Sequence, residues 1–120
     1  MLVVLPCCSR DVELATRSIR WAIKLDERCA YECLISCEAG TNTKELETEC
    51  QQYFRTVHHF TYDQYPEEPK WPNSPNWCFQ HSARYIATHF KVPFYWMEPD
   101  VTPLKKGWMD SLVKEYYEAG

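Results

Sequence analysis

"LVVLPCCSRDVELATRSIR", residues 2 to 20, decides how the chain is read. Its first six residues, "LVVLPC", form an apolar run without alternation. Such a run reads as a strand buried on both faces, the habit of parallel sheets. Ser9 and Asp11 follow as helix-capping candidates. Val12, Ala15, Ile19, Ala22 and Ile23 then recur at helical spacing, with Arg17, Arg20 and Lys24 off the stripe. A buried strand feeding an amphipathic helix is the opening of a βαβ unit.

The unit repeats. "YECLISC" (31–37) predicts a second strand, with Cys33, Ile35 and Cys37 on one face. Asn42 and Glu45 match the spacing of a capping box, and Leu46, Cys50, Tyr53 and Phe54 form the next helical stripe. "TVHHFTY" (56–62) is a third strand, in which His58 and His59 face opposite sides. "DQYPEEPKWPNSPN" (63–76) carries four prolines and no apolar period, so it predicts a long loop. Ser74 and Pro75 suit the N-cap and first position of a third helix, striped by Phe79, Ala83, Ile86 and Phe90. "PFYWM" (93–97) is a fourth strand. A last helix after Pro103 carries Leu104, Trp108, Leu112, Val113 and Tyr116. Alternation of this kind predicts an α/β domain over residues 1–120, with a mainly parallel sheet of about four strands between helix layers. Ligands of such sheets bind beyond the carboxyl ends of the strands, where the strand order reverses.

Composition narrows the function classes. One domain fits in 120 residues. A net charge of −4 argues against a nucleic-acid partner, and no apolar run approaches a membrane span. Aromatic residues are 15% of the chain, which suits either a ring-packed core or a stacking surface. "MLVVLPCC" has no basic leader and Pro6 interrupts its apolar run, so it does not read as a signal peptide. The expected compartment is the cytoplasm, where the seven cysteines stay reduced. With no CxxC pair, buried thiols are a better reading than a metal–thiolate site. With three glycines and neither GxGxxG nor GxxxxGK[ST], dinucleotide sites and P-loops are not expected.

The stretch that carries chemistry is "FYWMEPDVTP" (94–103). Glu98 precedes Pro99, which favours extended backbone there, and residues two apart in an extended chain point the same way. Glu98 and Asp100 would then converge at the exit of the fourth strand. Two converging carboxylates call for a cation, Mn²⁺ or Mg²⁺, and a phosphate-bearing ligand with it. The plainer alternative is a pair of solvated carboxylates ahead of the last helix.

"SPNWCFQHSARYIA" (74–87) and "PFYWMEPDVTPLKKGWMDSLVKEY" (93–116) resemble the nucleotide-binding half of a GT-A-type glycosyltransferase. The EPD-x-x-P-L…GW form is similar to small glycosyltransferase-like proteins of bacteria and their phages. The resemblance implies a Rossmann-like three-layer sandwich, truncated relative to the family, and metal-dependent transfer from a UDP- or GDP-linked sugar. Glu98-Pro99-Asp100 takes the place of the family's DxD triplet. Asp100 would ligate the metal, and Glu98 would share it or meet the ribose. Cys8, Ser9 and Arg10, with Asp11 beside them, would meet the nucleoside. Asn76 and Arg84 would form the wall near base and ribose; they read equally as a helix cap and a solvated charge. Lys105 and Lys106 read as solvated. No catalytic residue or acceptor is implied, because the family's acceptor region follows the DxD helix and this chain ends at Gly120. The expected location is the cytoplasm of a bacterium or an infected host cell. Self-association or a partner subunit is left open by the exposed sheet edge. Two other readings stand beside the enzyme. One is a non-catalytic sugar-nucleotide-binding or structural module of a larger assembly. The other is a flavodoxin-like or receiver domain using Asp11 and Asp63.

Overall fold

The structure, a computed structural model, describes residues 1–68 and 70–120; Pro69, in the proline-rich segment, lies outside the described residues. One parallel sheet is built from β1 (Leu2–Cys7), β2 (Cys29–Glu38), β3 (Phe54–Tyr62) and β4 (Phe94–Trp96). Four helices alternate with the strands: α1 (Val12–Leu25), α2 (Lys44–Tyr53), α3 (Asn73–His89) and α4 (Trp108–Ala119). The strands lie in the order β3-β2-β1-β4. That is the order of the first four strands of a doubly wound Rossmann sheet, whereas flavodoxin-like and receiver domains run 2-1-3. The receiver reading therefore falls.

Strand alternation sorts the side chains into two cores. Val3, Leu5 and Cys7 of β1, with Cys33, Ile35 and Cys37 of β2, pack against α1, α2 and α4. Leu2, Val4 and Leu34 point to the other face, where Ile86 of α3 meets them. The result is three layers: three helices, the sheet, and one helix. Every residue of β1 is buried, as its unbroken apolar run requires. His58 and His59 separate as expected. His58 lies 3.3 Å from Glu32 and edge-on to Phe90, while His59 bonds Thr43 Oγ1 at 2.9 Å across the opposite face.

Several boundaries differ from the sequence reading. Phe54 opens β3 rather than closing α2, because its backbone is already extended at the helix C-cap. Thr43, not Asn42, is the N-cap of α2; the Asn42 carboxamide instead accepts the Lys44 N–H at 3.2 Å, so no capping box forms. Helix α3 begins at Asn73, placing Ser74 and Pro75 inside its first turn, where a missing N–H costs nothing. Helix α4 starts only at Trp108, because Gly107 adopts a left-handed conformation (φ 68°) and donates its N–H to Asp26 Oδ2 at 2.9 Å. Leu104 is left 88% exposed on the approach to the helix. Lys105 and Lys106 lie on that approach too, exposed, rather than in the first turn.

The approach itself is fastened to α1. Ser18 Oγ donates to the Pro99 carbonyl at 3.0 Å and Trp21 Nε1 to the Pro103 carbonyl at 2.8 Å. With the Gly107–Asp26 bond, these contacts fix the path of the chain from the fourth strand to the last helix. Among the described residues, no helix is long and apolar enough to cross a membrane.

Candidate functional site at the carboxyl edge

The strand order reverses between β1 and β4, and there the sheet opens. Two backbone bonds frame the β1–β4 ladder: Leu2 N–H to the Pro93 carbonyl at 3.0 Å, and Met97 N–H to the Val4 carbonyl at 2.9 Å. The next bond in this register would be donated by residue 6. Residue 6 is proline and has no N–H to give. Pairing stops at Val4–Trp96, and the strands part beyond it.

The gap is a cavity of about 140 Å³ on the α3 side of the sheet edge. Its floor is formed at and just past the strand ends: Pro6 of β1 and Cys8 after it, Glu38 of β2, Tyr62 of β3, and Trp96 of β4 with Glu98 beyond it. Alternation places these side chains on one face, since each is two residues from its neighbour or directly across in register. The first two turns of α3 close the cavity from above with Ser74, Pro75, Trp77 and Cys78. Asp11 closes it from the start of α1 and Tyr65 from the loop after β3.

Two carboxylates on the wall are held in place. Glu98 Oε1 accepts the Trp96 indole N–H at 2.6 Å. Asp11 Oδ1 accepts the Cys8 N–H at 2.6 Å. The Cys8 carbonyl in turn accepts the N–H groups of Asp11 (3.2 Å) and Val12 (3.0 Å). The N-terminus of α1, where Rossmann folds place a phosphate, therefore has a carboxylate of its own chain beside it. Glu38 adds a third acid. Among the described residues, no Lys, Arg or His stands on the wall.

The thiols around the cavity are neutral at physiological pH. Burial is the main cause: it drives the Cys7 thiol far above the ordinary range, raises Cys8, and pushes Cys78 up to about 11. The charges of Glu98 and Asp11 add to the effect on Cys78. Tyr62 is 93% buried, and that burial keeps its phenol protonated. Neutral thiols of this kind are poor nucleophiles.

Of the residues singled out in the sequence, Cys8 and Glu98 line the cavity, and Asp11 joins them. Ser9 and Arg10 are exposed on the turn after β1. Asn76 and Arg84 are exposed on α3, and neither lines the cavity. Asp100 does not line it either. The expectation of extended backbone through residue 100 is corrected here. The Val101 N–H bonds the Glu98 carbonyl at 3.0 Å, so Pro99 and Asp100 are the corner of a turn, and Asp100 is exposed. Proline is well suited to the first corner of such a turn, and the Ser18 bond to the buried Pro99 secures it. Sequence reasoning did not single out Glu38, Tyr62, Tyr65, Trp77, Cys78 or Trp96. The signal for Glu38 and Tyr62 was available: both are last residues of strands on the α3 face.

Among the described residues, no three His, Cys, Asp or Glu side chains come together as a cage for a metal ion. Comparison with protein-family models, with curated proteins and with solved structures finds no match.

Proposed function

We propose that the chain binds a nucleoside-diphosphate sugar, UDP- or GDP-linked, across this edge together with Mn²⁺ or Mg²⁺, as the donor-binding half of a metal-dependent glycosyltransferase of GT-A type. The observation that carries the reading is the position of the cavity. It lies at the reversal between β1 and β4, with Glu98 of the E-P-D triplet on its wall. The residues suit a metal of that kind. Mg²⁺ and its relatives are commonly held by one or two carboxylates while the ligand's phosphates complete the shell, so no three-residue protein cage is needed. Glu98 would hold the ion from the cavity wall and Asp100 from the turn beside it. When bound, the ion offsets the charge of the nucleoside diphosphate. The protein residues supply the rest: Trp77 and Tyr65 offer ring surface for a base, and the fastened turn at Pro99 fixes where the carboxylates stand.

A second reading is a module that binds the donor without transferring it. Thermal-shift titration with UDP- and GDP-sugars, with and without Mn²⁺, tests the donor reading. Stabilisation that needs both sugar nucleotide and metal, and that Glu98→Ala removes, supports it. No metal-dependent shift with any donor overturns it. Donor hydrolysis lost in Asp100→Ala marks the enzyme; binding without turnover marks the module.

A further inference from the structure

We propose that the carboxyl-edge cavity recognises an organic ammonium group. The wall combines two features that together select such a cation. Four aromatic residues, Tyr62, Tyr65, Trp77 and Trp96, supply ring surface. Three carboxyl groups, Asp11, Glu38 and Glu98, supply negative charge, and among the described residues no Lys, Arg or His shares the wall with them. An alkylammonium uses both: its charge meets the carboxylates, and its carbons lie against the rings. A neutral ligand uses only the rings, and an anion is repelled.

The arrangement is built rather than incidental. The Trp96 indole N–H holds Glu98 Oε1, and the Cys8 N–H holds Asp11 Oδ1, so each carboxylate is oriented by one oxygen. The Trp77 indole N–H is committed outside the cavity, to the Asp63 carbonyl at 2.9 Å, and its ring leans on Tyr65 and His81. The aromatic wall is thereby braced before any ligand arrives. Tyr62 is almost wholly buried, with its ring beside those of Phe60 and His81. The size agrees as well. At about 140 Å³ the cavity lies below the range of about 300–1,000 Å³ usual for larger ligands, which matches a small amine better than a nucleotide.

This inference does not rest on the donor reading, because an ammonium needs neither metal nor phosphate. Calorimetry on the full chain, without Mn²⁺ or nucleotide, tests it with choline chloride as the probe. The control is 3,3-dimethylbutan-1-ol, the same shape without the charge. Choline should bind at least tenfold more tightly than the alcohol. Glu98→Gln keeps an acceptor for the Trp96 indole and removes the charge; it should weaken choline fivefold or more, with an unchanged urea midpoint. Trp77→Leu should weaken both probes. Equal affinity for choline and the alcohol, or no heat from choline at tens of millimolar, overturns the proposal. So does full choline affinity in a folded Glu98→Gln protein. Failure of every sugar nucleotide to bind would leave this result untouched.

Discussion

A pair of serines holds the roof of the cavity in register, and removing one should cost more than removing both. Ser36 of β2 and Ser82 of α3 are each fully buried, with hydroxyls 2.6 Å apart. Ser82 donates its proton to the Cys78 carbonyl at 2.8 Å. Each hydroxyl has one proton, so Ser36 must be the donor between them. In Ser82→Ala the Ser36 hydroxyl keeps its proton and loses its acceptor, in a site closed to water. An orphaned buried donor costs about 1–3 kcal/mol. In Ser36→Ala, Ser82 still donates to Cys78 and loses only an incoming bond, which costs about 0.5–1.5 kcal/mol. The double variant leaves neither group orphaned, and its cost should fall to that of Ser82→Ala or below it. Urea unfolding of all four proteins at constant m-value reads the cycle, with a coupling of about 0.5–2 kcal/mol expected. Simple additivity would refute the assignment of donor and acceptor. Because Ser82 sits one turn beyond Trp77 and Cys78, the single Ser82→Ala variant should also loosen the cavity roof, measurable as faster amide exchange in the first turns of α3.

Two further outcomes follow from the backbone and the thiols. Lys91 follows α3 with φ 53°, in the left-handed region, and its N–H closes the helix on the Ile86 carbonyl at 3.1 Å; Lys91→Gly should raise stability by about 0.5–1 kcal/mol, seen as a higher urea midpoint, and a lower one would contradict the strain. Burial pushes the Cys29 thiol from the ordinary 9.0 up to about 11, so the folded chain holds a proton there that the unfolded chain gives up first; that stability is intact below pH 9 and is lost as pH rises toward 11, at up to about 1.4 kcal/mol per pH unit. Cys29→Ala should flatten the decline in urea midpoint between pH 9 and 11, and an unchanged slope would rule the thiol out.

The elements were legible because their patterns are strong. The run at Leu2–Cys7 has the bounds of β1, and the strands read at 31–37 and 56–62 each gain residues at their N-terminal ends. Those added residues, such as Cys29 and Phe54, owe their extended state to pairing across the sheet, which a local pattern does not contain. The order β3-β2-β1-β4 came from the structure alone, because periodicity is silent about which strands are neighbours. For the site, the general location was legible and most of the wall was not. The sequence reading followed the E-P-D triplet and assumed that the strand continued through it. Proline at the first corner was a local signal for the turn at Glu98–Val101 that the reading passed over; the Ser18 bond that secures it comes from 81 residues away, and no local window can reveal it. Glu38 and Tyr62 carry no motif; they matter because they end β2 and β3 on the face that α3 covers.

Pro6 shows how one residue links the fold to its chemistry. In the sequence it counted only as an interruption of an apolar run. In the sheet it is the missing donor that releases β4 from β1, so Glu98 faces an opening instead of a paired strand. The same opening exposes an edge lined by three carboxyl groups, Asp11, Glu38 and Glu98. A phosphate brought within 5 Å of Asp11 or Glu38 would meet about 3 kcal/mol of repulsion per pair at an effective dielectric constant of about 20. No basic group on the described wall cancels it. Charge favours a ligand that brings positive charge, either as its own ammonium or as a metal ion travelling with a diphosphate. Both proposals share that condition, and it yields a competition neither requires alone: if Glu98 serves both, Mn²⁺ should displace choline from the folded protein, and the displacement should vanish in Glu98→Gln.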